Sequence, residues 1–520
     1  MKKRLAILFL VLFSAAAQAG SELDITTIRK AADQGDAIAQ YNLAACYAQG
    51  QGAPRDDAQA VIWYKKAAEQ KFAPAQYDLG VMYYNGKGVP QDDKQAIEWY
   101  KKAAEQGVAE AQSYLGYMYE KGKGVPPDYK QAADWYLKAA RQGNAIAQVS
   151  LASMSASGQG VPLDRIKAVE WLKKAAEQSD AAAQYGLALA YANGEGAPQD
   201  DKQAFEWFKK AAEQGHAGAQ RSLVSIYANG KGAPQDDKQA VVWLRKVAEQ
   251  GDAPAQGKLG FMYEEGKGIP QDDKQAVDWY RKAAEQGHAG AQGNLGVMYH
   301  HGKGVPQDYK QAVAWYKKAA EQGEITAQIH LAFMCQAGEG VPQDYKQAAE
   351  WYRKAAEQGF APAQVNLGRM YYKGEGIPQN DGIAFTWWRK AAEQGHAEAQ
   401  SYLGLMYNLG KGVPQDDRQA VIWWRKAAEQ GYAPAQYDLG AMYYNGKGVP
   451  QDDVNAYAWF SLAAAQGKDA AEKSRGIIAN RFAPEQRSKA QDLATELQAK
   501  IDSQKIKDWK STFNQFSTLF

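Results

Sequence analysis

Residues 73–108 read APAQYDLGVMYYNGKGVPQDDKQAIEWYKKAAEQGV. Ala75, Leu79, Gly80, Met82 and Tyr83 fall at helical spacing, which predicts a helix over the first segment, APAQYDLGVMYYN. Gly86 suits a left-handed helix stop, and Val89-Pro90 does not easily continue a helix. After a short loop, Asp92 with Gln95 three residues on makes a capping-box-like start, and Asp93 puts negative charge at the positive end of the helix dipole. Ala96, Trp99, Tyr100 and Ala103 then mark the apolar face of a second helix, which Gly107 stops. The stretch is a helix-turn-helix pair.

The pair recurs along the chain. Tryptophan stands at 63, 99, 135, 171, 207, 243, 279, 315, 351, 387, 423 and 459, a spacing of 36 without insertion or deletion that takes in twelve of the fifteen Trp. Proline keeps the same period from Pro54 to Pro450, each preceded by a G-x-G such as Gly86-Lys87-Gly88. Twelve units therefore span 37–468. One pair cannot bury its apolar face alone, so neighbours are expected to stack into a solenoid with the periodic Trp in its core. Gly80, Gly116, Gly260, Gly296, Gly368, Gly404 and Gly440 share one mid-helix site. Gly there costs about 1 kcal/mol relative to Ala, which predicts close approach of another helix or a Trp ring.

The repeated pattern A-x-A-Q-x-x-L-G-x-M-Y-x-x-G-x-G-V-P-Q-D-x-x-Q-A-x-x-W-Y-x-K-A-A-E-Q-G resembles the Sel-1-like repeat family, a relative of the tetratricopeptide repeats, over residues 37–468. The resemblance implies an all-α fold, a right-handed α-α superhelical solenoid whose first helices line the concave side. It also implies a non-catalytic role as a scaffold or adaptor in protein complexes, and leaves the partner unnamed.

The flanks depart from the period. Residues 20–36 include DITTIRKAADQGD, which matches the end of a second helix and is read as an N-terminal half-repeat cap. Over 469–520, Pro484 opens a predicted helix through Leu493 and Leu497 to about Ile501, suited to covering the last unit. Trp509, Phe513, Phe516 and Phe520 continue at helical spacing as an apolar stripe, expected to dock on the solenoid, with partner binding as the alternative. At the other end, Lys2, Lys3 and Arg4 precede an apolar run from Leu5 to Phe13 and an Ala17-Gln18-Ala19 site. Residues 1–19 thus read as a signal peptide, and the chain as periplasmic or secreted.

Removing that segment changes the formal charge from +2 to −1. A near-neutral chain with interspersed signs lacks the basic stripe that phosphate backbones require, which excludes nucleic acid as an expected partner. A mean hydropathy of −0.59, with no apolar run near the roughly 20 residues that span a bilayer, predicts no transmembrane segment in the mature chain. The 12% aromatic content is far above that of a disordered chain.

Variation among the units marks the positions that packing does not dictate. In the first helix these are positions 2, 5, 6, 9, 12 and 13 of each unit, which share one helical face. That face carries Tyr41, Tyr77, Tyr84, Tyr114, Tyr117, Tyr185, Arg221, Lys258, Phe261, Phe333, Arg369, Tyr372, Tyr402, Tyr437 and Tyr444, interspersed with Glu110, Glu264, Glu265 and Glu398. Large rigid aromatics with mixed charge suit a protein or peptide partner. Stacking on a cell-wall glycan or muropeptide is the alternative. At position 9, Tyr117, Phe261 and Phe333 have a competing use, contact with the neighbouring unit. The fourth unit departs most, with Ser155, Leu163 and Ser179 in place of the usual Tyr, Gln and Gly; neutral drift is the expected reason and a flexible joint the alternative.

His216, His288 and His396 share an inter-unit turn position where other units carry Asp, Phe or Asn, and that interchange argues against ligation. His300-His301 with His330 in the next unit lack the defined spacing of a metal site. Cys46 and Cys335 lie eight units apart, so no intramolecular disulfide is expected. A cysteine-rich branch of the resembled family is associated with penicillin binding and weak β-lactamase-like activity. This sequence has neither its paired cysteines nor an S-x-x-K, K-T-G or G-x-S-x-G, so a β-lactam-interacting hydrolase is the least favoured reading. The Asp pairs such as Asp92-Asp93 sit at helix starts and read as caps rather than Ca²⁺ ligands. No catalytic residue, cofactor or metal is expected.

Overall fold

A computed structural model of the protein describes residues 25–518, with side chains as far as Lys507. The chain divides into two compact units, 1–235 and 236–520. All secondary structure among the described residues is helical. The repeats are numbered 1 to 12 from Ala37, each with a thirteen-residue first helix, such as Ala73–Asn85, and a thirteen-residue second helix, such as Asp93–Glu105. The signal-peptide reading of 1–19 lies outside the described residues.

The helix ends follow the expected chemistry. Asp92 Oδ1 accepts the backbone N–H of Lys94 at 2.9 Å and of Gln95 at 3.0 Å, while the Asp92 N–H donates to the Tyr83 carbonyl at 3.0 Å. The capping residue thereby ties the two helices of its pair together. In repeat 4 the same backbone bond runs from Asp164 to the Ser155 carbonyl at 2.8 Å, so the loss of a Tyr side chain leaves the turn intact. Ser179 holds the inter-repeat turn at φ 64, in the left-handed region that glycine occupies at the corresponding turns, and the helices 145–157 and 165–177 keep the common length.

Two kinds of glycine set the packing. The mid-helix glycines face the residue after the periodic Trp: a Cβ on Gly116 would lie 2.8 Å from the Tyr136 ring, and one on Gly404 2.6 Å from Trp424. The expected close contact is present, but the ring is Tyr136 or its equivalent, and in repeats 10 and 11 the extra Trp388 and Trp424, not the periodic Trp. The periodic Trp stands one position earlier, about 100° round the helix, and in repeats 1 to 11 the Lys three residues on lies over its ring: Lys102 Nζ sits 3.9 Å from the Trp99 centroid and Lys282 Nζ 3.8 Å from that of Trp279. From repeat 2 onward, the second glycine of the G-x-G meets the preceding repeat. Gly124, at φ 72, lies against the Asp93 carbonyl at the start of the previous second helix.

A buried glutamine ladder completes the core. Gln112 Nε2 donates to the Ala104 carbonyl of the preceding repeat at 3.0 Å, and its Oε1 accepts from Gln142 Nε2 at 2.8 Å. Gln292 does the same in the second unit with Ala284 at 3.0 Å and Gln322 at 2.7 Å. Each amide adds a side-chain bond to a carbonyl at a helix C-terminus that also accepts the turn N–H of Gly107 or Gly287, at 3.1 and 3.0 Å, and so ties the next first helix to that turn. At the N-terminal edge Gln40 donates to the Ala32 carbonyl at 3.1 Å, so the helix Ile25–Asp33 serves repeat 1 as a preceding second helix would.

The last repeat is covered by Asp469–Ala479 and by a long helix, Pro484–Thr518, which extends well past the predicted end near Ile501. Ala490 is buried with Tyr457, Phe460 and Ile478, and Ile501 joins Val421, Trp424 and Trp459. The side chains of Trp509, Phe513 and Phe516, and all of Phe520, lie outside the described residues. Cys46 and Cys335 are both free and buried. No described helix is long and apolar enough to cross a membrane.

Candidate functional site

In the first unit the first helices of repeats 1 to 3, Ala37–Gln49, Ala73–Asn85 and Ala109–Lys121, bring their tyrosines into one row. Tyr77 lies 6.0 Å from Tyr114, centroid to centroid, and Tyr84 6.5 Å from Tyr117, each pair crossing from one repeat to the next. Below them Tyr114 stacks on Tyr100 at 5.3 Å, and Tyr41 packs on Tyr64 at 5.6 Å and Phe72 at 5.3 Å. The row is half-buried, so these rings support the repeat stack as well as facing outward. Tyr117 has the neighbour contact expected of position 9.

Asp78 lies within the row. Burial pushes its carboxyl up to about 7, opposed by a hydrogen bond that the Tyr41 hydroxyl donates to it. The hydrogen bond between Tyr84 and Tyr117, with partial burial, pushes the Tyr84 hydroxyl up to about 12. Further along, Tyr185 stacks on His216 at 4.4 Å, and Arg221 is exposed. His216 Nδ1 and His288 Nδ1 each accept a backbone N–H at the start of a first helix, at 3.2 and 3.1 Å, the task Asp180 and Asp252 perform elsewhere. His216 and His288 thus stand in for Asp as caps, whereas His396 at the same position makes no side-chain cap.

In the second unit Lys258 and Phe261 are half-buried, and burial, with Lys267 nearby, lowers the Lys258 ammonium. Tyr372 and Tyr402 both pack on Trp388, at 5.5 and 4.3 Å, and Tyr402 donates to Glu398 at 3.1 Å. Tyr437 packs on Phe460 at 5.4 Å with Lys468 over it. The Tyr444 hydroxyl accepts from Arg481 at 3.1 Å, so the chain beyond repeat 12 covers part of the expected stripe.

Phe333 and Arg369 meet at a groove of about 790 Å³, into which His300, His301, His330 and Asn366 also project. The histidines occupy positions 12, 13 and 6 of their repeats, all positions of the variable face, and that register alone places them beside the residues singled out from the sequence. Among the described residues no three His, Cys, Asp or Glu side chains converge on a metal position.

Comparison with known proteins matches the Sel1 repeat at residues 37–72, 73–108, 109–144, 145–180, 181–216, 219–252, 253–288, 289–324, 325–360, 361–396, 397–432 and 433–468. Among solved structures, the chain is similar to c5321, a protective antigen present in uropathogenic Escherichia coli strains and displaying an SLR fold. The two are 37% identical over 92% of this chain and 95% of that one, with a TM-score of 0.68. A Sel1 repeat protein from Oxalobacter formigenes is 38% identical over 63% of this chain and 93% of its own, with a TM-score of 0.47. No curated protein matches significantly.

Proposed function

Since the chain belongs to the Sel1 repeat family, we propose that it is an exported, non-catalytic scaffold that holds a protein partner on the face formed by the first helices of its repeats. Sel1 repeat proteins generally act as scaffolds for protein–protein interaction. The observation that carries the placement here is the ring contact between variable-position side chains of adjoining first helices, Tyr77 with Tyr114 and Tyr84 with Tyr117. Half-exposed aromatic rows of this kind supply contact area at low entropic cost. Export rests on the basic, apolar and A-x-A sequence of residues 1–19.

Stacking on a wall glycan requires open ring faces. Tyr114, Tyr185 and Tyr402 each have one face already set against Tyr100, His216 and Trp388, which favours the protein partner.

Affinity capture from a cell-envelope extract with residues 20–520 tests the reading, with a Tyr84→Ala/Tyr117→Ala variant as control. Tyr77 and Tyr114 are left in place because they pack on Tyr100. Specific proteins retained by the parent and reduced at least tenfold in the variant are expected, with the variant's helicity at the capture temperature equal to the parent's by circular dichroism, since loss of these half-buried rings lowers the melting temperature. Retention on purified wall material without protein would point to the glycan instead.

A further inference from the structure

Three repeats of the second unit carry a site whose chemistry is more specific than a general contact face. It lies across the first helices Ala289–His301, Ile325–Ala337 and Ala361–Lys373. Its apolar wall is Ile329 and Phe333, the latter 47% exposed, which is unusual for a phenylalanine within a packed stack. Facing it, Arg369 Nη2 donates to Asn366 Oδ1 at 2.7 Å, and Asn366 Nδ2 donates to the Pro362 carbonyl at 3.1 Å. The guanidinium is therefore held in a set orientation with most of its five N–H groups left over.

The imidazoles are held as firmly. His330 stacks on Tyr316 at 5.0 Å, His300 stacks on His301 at 4.8 Å, and His300 meets Tyr309 edge-on at 5.4 Å. The groove lining contains one permanent cation, three imidazoles and no carboxylate. Of the nearby carboxylates, Glu324 caps its own helix, accepting the backbone N–H groups of Thr326 and Ala327, whereas Glu339 borders the groove, 3.6 Å from His300 Nε2, which leaves Arg369, His301 and His330 as the groups without a carboxylate beside them.

We infer that this groove docks a short segment of a protein partner in which a carboxylate side chain adjoins a large apolar one, the carboxylate on Arg369 and the imidazoles, the apolar group on Phe333 and Ile329. The inference rests on the scaffold reading above and gives it a location and a partner chemistry. Adjacent helices lie roughly 8–10 Å apart, so three first helices span about 20 Å, the length of about six extended residues. One permanent cation is too few to hold a phosphate backbone, which leaves a carboxylate-bearing peptide as the fitting anion.

Binding is expected to depend on pH. Burial and mutual proximity hold His300 and His330 below the usual imidazole range. His300 faces His301, His330, Tyr309, Tyr316 and Glu339, and His330 faces His300, His301, Tyr316 and Glu324. A carboxylate arriving between them favours their charged forms, so the complex takes up protons and tightens as pH falls.

The test begins with selection from a random dodecapeptide display library on the intact 20–520 chain. The enriched sequence, synthesised with a fluorescent label, is then titrated by anisotropy. Enrichment of Asp or Glu beside Phe, Leu, Ile or Trp is expected. So is at least tenfold weaker binding in Arg369→Gln and in Phe333→Ser at unchanged melting temperature, with Arg369→Lys in between. Affinity should rise three- to tenfold from pH 8 to pH 6, and the rise should vanish in a His300→Gln/His301→Gln/His330→Gln variant. Enriched peptides without acidic residues, or indifferent to Arg369 and Phe333, overturn the groove. If those peptides instead lose affinity in Tyr84→Ala/Tyr117→Ala, the scaffold reading stands without it. A library that yields no enriched sequence also overturns the groove as a peptide site, and the capture experiment then decides the wider reading independently.

Discussion

Gly124→Ala is expected to destabilise the first unit severely, by on the order of 3–4 kcal/mol. A Cβ there would sit 2.5 Å from the Asp93 carbonyl oxygen and 2.6 Å from its carbon, and the backbone is at φ 72. Neither obstacle yields easily: the carbonyl opens the second helix of the preceding repeat, and the left-handed conformation alone costs an L-residue about 1 kcal/mol. Because each repeat is stabilised mainly by its neighbours, displacing this contact weakens the junction of repeats 2 and 3 as a whole. Gly107→Ala is the matched control. It has a φ of 93 but nothing within 4 Å of the added Cβ, so its loss is expected to be roughly 1–2 kcal/mol, backbone strain alone. Urea titrations followed by circular dichroism separate the two; equal losses would show that the inter-repeat contact is not the reason for the glycine.

Asp78→Asn should have the opposite sign and a pH dependence of its own. With burial holding the Asp78 carboxyl at about 7 against an ordinary 3.8, the folded chain keeps a proton that the unfolded chain releases. The stability this proton confers is complete below about pH 4 and is lost as pH rises to about 7. Asparagine cannot ionise and still offers an oxygen to the Tyr41 hydroxyl. The variant should therefore match the parent near pH 4 and exceed it at pH 8 by roughly 2–3 kcal/mol, allowing for the partial exposure of the side chain. Taking the difference between variant and parent at each pH cancels the histidines and capping carboxylates, which titrate in both. A pH-independent difference would mean that Asp78 is solvated as an ordinary carboxylate.

The repeat, its two helices, its caps and its turn glycines are legible in the sequence because each is a local rule repeated twelve times. Longer-range pairings are less so. Every repeat carries both Gln112 and Gln142 or their equivalents, and strict periodicity does not show that one amide bonds to the other across a helix pair and to the repeat before it. The partner of the mid-helix glycine was equally hidden, although the sites that carry Trp388 and Trp424 both face glycine. The tyrosine face shows the limit of variation as a guide. Tyr77, Tyr114 and Tyr402 stand at positions that vary between repeats and still pack on Tyr100 and Trp388, so variation does not separate an outward side chain from one that supports the stack. His300, His301 and His330 are legible by register, as positions 12, 13 and 6 of the variable face, whereas residue type alone points to metal chemistry.

The most direct test of the scaffold reading is hydroxyl-radical footprinting of residues 20–520, alone and with a captured partner. Protection is expected on first-helix variable positions, among them Tyr84, Tyr117 and Phe333. The outward apolar residues of the second helices, Ile62, Val242 and Ile422, are 44–48% exposed and should stay as reactive as in the free chain. Protection of Ile62, Val242 and Ile422 with Tyr84, Tyr117 and Phe333 unchanged would place the partner on the opposite helices and contradict the account.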